Sequence, residues 1–168
     1  MLEIIYAHFT ERGNGHQSGR LRKLDETIRD LLSQNRKQWQ LEDISHSEHF
    51  TPEELARTKR LIDISNATRT QLIDGIDTLT HLLYPDQQKQ PTVHLSETLG
   101  ELIDRITILI LKEYHSTDPA LRKFAKNKRR HLQQSLDLTL RALTEGRASL
   151  PPSGTVKIYQ PATEFMDR

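Results

Sequence analysis

Glu101 and Asp104 stand three residues apart, Arg69 and Arg105 are two guanidinium groups set among Leu and Ile, and Asn35 and Asn66 are carboxamides at positions where an apolar residue is expected. Two carboxylates one helical turn apart present oxygen ligands to Mg2+ or Mn2+, and Asp63 or Glu42 would complete such a set. Guanidinium groups suit another task. They grip phosphate or carboxylate through paired hydrogen bonds, while Asn35 and Asn66 would contact hydroxyls. A third reading needs no ligand: Asp104 and Arg105 serve as structural ion-pair members, since perturbed charges mark both structural and functional positions.

Any of these chemistries requires helices to bring the groups together. Ser96 to His115, SETLGELIDRITILILKEYH, is the stretch on which the rest is organised. Thr98 with Glu101 makes a capping box, and Gly and Pro are absent from Glu101 to His115, so the run predicts a helix rather than a buried strand. It is apolar nearly all round at Ile106 to Leu111, with Thr107 the one polar residue. The helix should therefore be enclosed by its neighbours, which places Asp104 and Arg105 beside an interior where charge needs a partner.

Leu21, Leu24, Ile28 and Leu31 recur by three and four and predict a first helix over residues 18–45; the same side continues through Asn35, Trp39 and Glu42. Trp39 is either a core residue or a ring that stacks on a ligand. Thr51-Pro52-Glu53-Glu54 is a second helix start, followed by a stripe of Leu55, Lys59, Ile62, Asn66, Arg69, Ile73, Ile76 and Leu83. Lys59, Asn66 and Arg69 on that stripe either fix register or line a site. Asp118-Pro119 opens a fourth helix that carries Leu121, Phe124, Leu132, Leu136, Leu140 and Leu143 and stops at Gly146. Its cluster of Arg122, Lys123, Lys126, Lys128, Arg129 and Arg130 sits in a chain of near-zero net charge and reads as a solvated face.

The expected fold is all-α: a four-helix up-down bundle over residues 18–146, preceded by an N-terminal arm and Gly-rich lead-in over 1–17 and followed by an extended tail over 147–168. Leu2 to Phe9 in the arm and Val156, Ile158 and Tyr159 in the tail could pair. The chain has 168 residues, a formal net charge of +1 and no cysteine. Those values predict one domain, no overall field for nucleic acid or an anionic membrane, and no disulfide or thiolate chemistry. No apolar stretch approaches the roughly 18 residues of a membrane span, and the N-terminus is a poor signal peptide, so a cytoplasmic protein is expected.

Counting back from each turn at about 1.5 Å per residue gives the depth of every candidate. Asn35, Asp63, Asn66, Arg69, Asp104 and Arg105 can then meet inside the bundle, with Trp39, Glu42, Asp43, Lys59, Lys112 and His115 stacked toward the first turn.

The combination Asn35, Trp39, Glu42, Asp43, then Lys59-Arg60-x-Ile62-Asp63 with Asn66 and Arg69, then Ser96-Glu97-Thr98-x-Gly100-x-x-Ile103-Asp104-Arg105 with Ile108-Leu109, Lys112 and His115, and Lys157-x-Tyr159 near the end, resembles a bacterial family known only as a domain of unknown function. Members of that family tend to be encoded beside envelope-glycan and glycosyltransferase genes. This chain departs from the pattern at Gln40, where the family has His, at Thr70-Gln71, where it has Asn-Asp, and at Leu99, where it has Pro. Those departures remove a His and an Asp that a shared metal or acid–base role would use. The resemblance implies a helical fold and a cellular neighbourhood but no reaction.

Two functions follow as expectations. One is an accessory protein, a possible homodimer, that binds a protein partner or a small anionic ligand such as a nucleotide sugar or sugar phosphate, with no cofactor. The alternative is an all-α pyrophosphohydrolase acting on nucleotides or nucleotide sugars, with Mg2+ or Mn2+ held by Glu101, Asp104 and Asp63; against it, Asp63 stands alone on its helix among Lys59, Arg60 and Arg69. Nucleic-acid binding through the fourth helix is the least favoured.

Overall fold

The protein is described here by a computed structural model that covers residues 15–46, 50–84 and 93–152. The chain is all-α, with four helices among the described residues: α1 (Gly15–Ser45), α2 (Pro52–Leu83), α3 (Leu99–His115) and α4 (Pro119–Thr144). The proposed pairing of the arm with Val156, Ile158 and Tyr159 lies outside the described residues.

Local chemistry sets the helix ends. Thr51 and Thr98 each accept the backbone N–H three residues on, and Glu54 and Glu101 reach back to the N–H of their own cap, so α2 and α3 both begin in a full capping box. Asp118 accepts the Ala120 N–H and Pro119 opens α4, while the Arg122 guanidinium donates to the Ser116 carbonyl and ties the turn from α3. At the far end Gly146 has φ 72°, with its N–H bonded to the Leu143 carbonyl and the Arg147 N–H to that of Ala142. That is a Schellman stop, and a side chain at 146 would strain it.

α3 is the centre. Its Leu99, Leu102, Ile103, Ile106 and Leu109 meet Leu24, Ile28 and Leu31 of α1, Ile76 and Leu83 of α2, and Ala125, Leu132, Leu136 and Leu140 of α4 in one core. α1 lies along α2, α3 touches both, and α4 packs along α3. The contacts of Gln34 with Ser65 and of Arg20 with the Leu82 carbonyl show that α1 and α2 run antiparallel.

On α2 the observed seam differs in part from the predicted stripe. Thr58 and Ser65 are buried, whereas Lys59 is exposed and Asn66 only half-buried. With 3.6 residues per turn, both i+3 and i+4 positions border a seam, and the small Thr58 and Ser65 permit the closer approach to α1. Gln34 then donates to both the hydroxyl and the carbonyl of Ser65.

Two features were not expected. Val93–His94 (β1) and Ala148–Ser149 (β2) form a two-residue parallel ladder, which ties the start of the predicted tail to the segment before α3 and buries Ala148 and Leu150. In addition, Asp77 of α2, itself buried, accepts the Gly100 N–H at 2.7 Å and so satisfies a free donor of the first turn of α3.

Burial pushes the Asp77 carboxyl up, with the charges of Glu101 and Asp74 adding to it, against the lowering effect of hydrogen bonds from Gly100 and Thr98. A carboxyl with a raised folded-state pKa binds more protons in the folded than in the unfolded chain, so its stabilising contribution is complete below the unfolded value and declines as pH rises through the folded one. Asp77→Asn keeps an oxygen acceptor for Gly100 and removes the charge. The variant is expected to lie within about 1 kcal/mol of the parent at neutral pH. It should lose the decline in stability that starts near the ordinary carboxylate value of about 4, as urea titrations across the acid range would show.

Candidate functional site

The polar residues of three helices converge at one place. Asp104, only 3 % exposed, receives Arg69 of α2 through two nitrogens: Nε donates to Oδ1 at 2.8 Å and Nη2 donates to Oδ2. Asn35 of α1, also buried, donates its amide to Asp104 Oδ1 at 2.9 Å and to the Thr107 hydroxyl at 2.7 Å, and Thr107 donates in turn to the Asp104 carbonyl. Each carboxylate oxygen therefore has a donor, as a buried charge requires. The bond to Asp104 raises the Arg69 pKa further, with burial pulling the other way, so the guanidinium stays charged.

Arg69 also stands on a boundary. To one side is a cleft of about 500 Å³ lined by Asn66, Arg69, Thr70, Ser96, Glu97, Glu101, Asp104 and Arg105. To the other is a smaller cleft of about 270 Å³ lined by Asn35, Gln38, Trp39, Glu42, Asp43, His46, Arg69, Ile108 and Leu111. Arg69 is the residue common to both walls. Asp104 engages its Nε and Nη2, and among the described residues no side chain or carbonyl takes Nη1. Gln38 donates to Asn66 Oδ1 at 2.8 Å, and its own Oε1 is buried without a partner among the described residues.

The predicted residues divide into three groups. Asn35, Arg69 and Asp104 are joined directly, and Asn66 is attached to them through the cleft wall and Gln38. Trp39 and Glu42 line the smaller cleft; Trp39 stacks on His115 with ring centroids 5.2 Å apart and, on its far side, borders a third cleft with Lys112 and His115. Trp39 is thus held against a neighbouring ring rather than sealed in the core.

The remaining residues correct the sequence reading. Arg105 is exposed at the cleft rim and pairs with Glu97 at 2.6 Å, because one step along a helix turns it about 100° away from Asp104. Lys59 and Asp63 are exposed on α2 and line none of the three clefts, since the seam there runs through Thr58 and Ser65. The ligand set of Glu101, Asp104 and Asp63 is consequently not assembled. Glu101 folds back on the Thr98 N–H, Asp104 is taken by Arg69 and Asn35, and no group of three His, Cys, Asp or Glu side chains among the described residues is placed to hold a metal ion.

Sequence reasoning did not assign Thr107, Gln38, Thr70, Ser96 or Glu97 to the site. Thr107 had a signal: a lone hydroxyl inside a run of Ile and Leu that is wholly buried must find an acceptor. Gln38 had none.

No helix among the described residues is long and apolar enough to cross a membrane. No curated protein and no solved structure matches the chain. A family model described as "Protein of unknown function (DUF4254)" matches residues 25–151, which takes in most of α1 and all of α2, α3 and α4, and the chain belongs to that family.

Proposed function

We propose that this chain is an accessory, non-catalytic binding protein whose ligand is a small anion bearing hydroxyl groups, a nucleotide sugar or sugar phosphate, taken into the two clefts that meet at Arg69. The observation that carries the reading is the position of Arg69. Two of its nitrogens are fixed by Asp104, which aims the guanidinium without side-chain freedom to lose on binding, and Nη1 stays available on a wall shared by both clefts. Preorganised cations of this kind bind phosphate with little ordering cost. Asn66, Ser96 and Glu97 offer hydroxyl partners on one side, and Gln38 Oε1 offers an unused acceptor on the other. Participation in envelope-glycan metabolism and a cytoplasmic, homodimeric state belong to the same proposal; they rest on the resemblance and on composition.

Calorimetric titration with a uridine diphosphate sugar and with a hexose 1-phosphate tests it. Salt-sensitive binding is expected, with no need for Mg2+ or Mn2+ and no hydrolysis product. The diagnostic variant replaces both partners, Arg69→Met with Asp104→Leu, because removing a buried pair together spares the fold what removing one member costs. Its helicity should persist while affinity drops at least about tenfold, the loss expected of a charged hydrogen bond. Absence of binding across a set of nucleotide sugars and sugar phosphates would overturn the reading, as would unchanged affinity in the double variant. Sedimentation equilibrium on the same samples checks the dimer.

A further inference from the structure

The third cleft stands apart from Arg69 and has a different character. It holds about 440 Å³ at the end of the molecule where α3 passes into α4, and its walls are Leu109, Leu121, Phe124 and Ala125 with Trp39 behind them. Lys112, His115, Ser116 and Lys128 form the rest of its lining, which contains no carboxylate. Leu121 is 61 % and Phe124 65 % exposed, and Tyr114 beside the cleft is more exposed still. Leu121, Phe124, Ala125 and Lys128 follow one another at helical spacings of three, one and three, so the apolar groups and a cation share one stripe of α4.

Charge along this half of α4 is one-sided. From Pro119 to Leu136 the sequence has six Lys and Arg residues and no Asp or Glu. Of these, Arg129 is taken by Glu113 at 2.8 Å, whereas Lys123, Lys126, Lys128 and Arg130 are exposed. The net charge of +1 conceals this asymmetry, because fields at an aqueous surface act over about 8 to 10 Å and α4 itself carries a carboxylate only at Asp137, past this half, with Asp118 at its cap.

We infer that the first half of α4, with the adjoining end of α3, is a docking surface for an anionic lipid bilayer: Leu121 and Phe124 enter the boundary between headgroups and acyl chains, and Lys112 and Lys128, which line the same cleft, meet the lipid phosphates. An exposed apolar wedge flanked by lysines is the composition that binds in the plane of such an interface. Nucleic acid would use the cations and could stack a base on Phe124, but gains nothing from Leu121, whose aliphatic chain cannot stack, whereas a bilayer takes up both side chains. This inference does not depend on the ligand proposed at Arg69.

The chain contains one tryptophan, and Trp39 lines the cleft, so intrinsic fluorescence reports on the surface directly. The full chain is mixed with vesicles of phosphatidylcholine alone or with phosphatidylglycerol added, then sedimented. Expected is cosedimentation and a blue-shifted emission with the anionic vesicles only, weakening as salt is raised. Lys112→Glu with Lys128→Glu should reduce partition at least about tenfold. Leu121→Ala with Phe124→Ala, both exposed and so compatible with an unchanged circular dichroism spectrum, should lose the blue shift and most of the binding. Failure to bind anionic vesicles would overturn the inference. So would binding that is indifferent to Leu121 and Phe124, or tighter binding to single-stranded RNA than to vesicles that these two alanines leave intact, which would assign the cations to nucleic acid.

Discussion

Arg69→Met alone is expected to destabilise the fold by about 3 to 5 kcal/mol, the cost of leaving one partner of a buried ion pair without the other. Asp104 cannot escape the consequence. It is 3 % exposed, and the Asn35 amide, which is neutral, is the side-chain donor left to it among the described residues. The reverse substitution should be milder. In Asp104→Leu the freed guanidinium stands at the rim of a cleft, with about a quarter of its side chain already accessible, and can turn toward water. About 1 to 3 kcal/mol is expected there, chiefly from the lost hydrogen bonds. The double variant, Arg69→Met with Asp104→Leu, should recover most of what the first single variant loses, since the buried charge and its partner disappear together. Urea unfolding of the three variants at constant slope measures all of this. Near-equal losses in both single variants, or a double variant no better than Arg69→Met, would show that the pair does not hold Asp104 as described.

The same residues show how far the sequence could be read. Helix ends were legible because capping is local: Thr51 with Glu54, Thr98 with Glu101, Asp118 with Pro119 and the Gly146 stop each involve residues within a turn of one another. The enclosure of α3 followed from its continuous apolar run, and with it the expectation that Asp104 needs a partner. Which cation would supply it was not legible. Arg105, adjacent in the chain, points away to Glu97, while Arg69 arrives from another helix. Depth along a bundle can be estimated from rise per residue, and this brought Asn35, Asp63, Asn66, Arg69, Asp104 and Arg105 to within about a turn or two of one another, but the rotation of each helix about its axis cannot. Rotation is set by close packing between surfaces, here by Thr58 and Ser65 turning toward α1, and it is what moved Lys59 and Asp63 out of the site. The β1–β2 ladder and the bond from Gly100 to Asp77 are long-range pairings with no local pattern to announce them.

Gly100→Ala should be the second large loss, and it runs against the usual helix preference. Alanine is favoured over glycine by up to about 1 kcal/mol within a helix. A Cβ on residue 100, however, would lie 2.6 Å from the Ile73 carbonyl oxygen, 2.8 Å from Asp77 Oδ1 and 3.0 Å from Ile73 Cγ2. The nearest of these is backbone of α2 and cannot rotate aside, so α3 must move off α2. Separation costs about 1 to 3 kcal/mol as overpacking. It also stretches the bond from the Gly100 N–H to Asp77, and a buried carboxylate that loses its donor adds about 1 to 3 kcal/mol. With the full preference for alanine subtracted, a net loss of about 1 to 5 kcal/mol is expected from these three contributions. Two other helical glycines serve as controls in the same chain. Gly19 has nothing within 4 Å of a built Cβ, and Gly75 would meet the Thr27 methyl at an ordinary 3.7 Å. Gly19→Ala and Gly75→Ala should therefore be neutral or stabilising by up to about 1 kcal/mol. If all three alanine variants unfold at the same urea concentration, α2 and α3 are not in contact at Gly100. In that case the route by which Arg69 reaches Asp104, four residues further along α3, loses its geometric support.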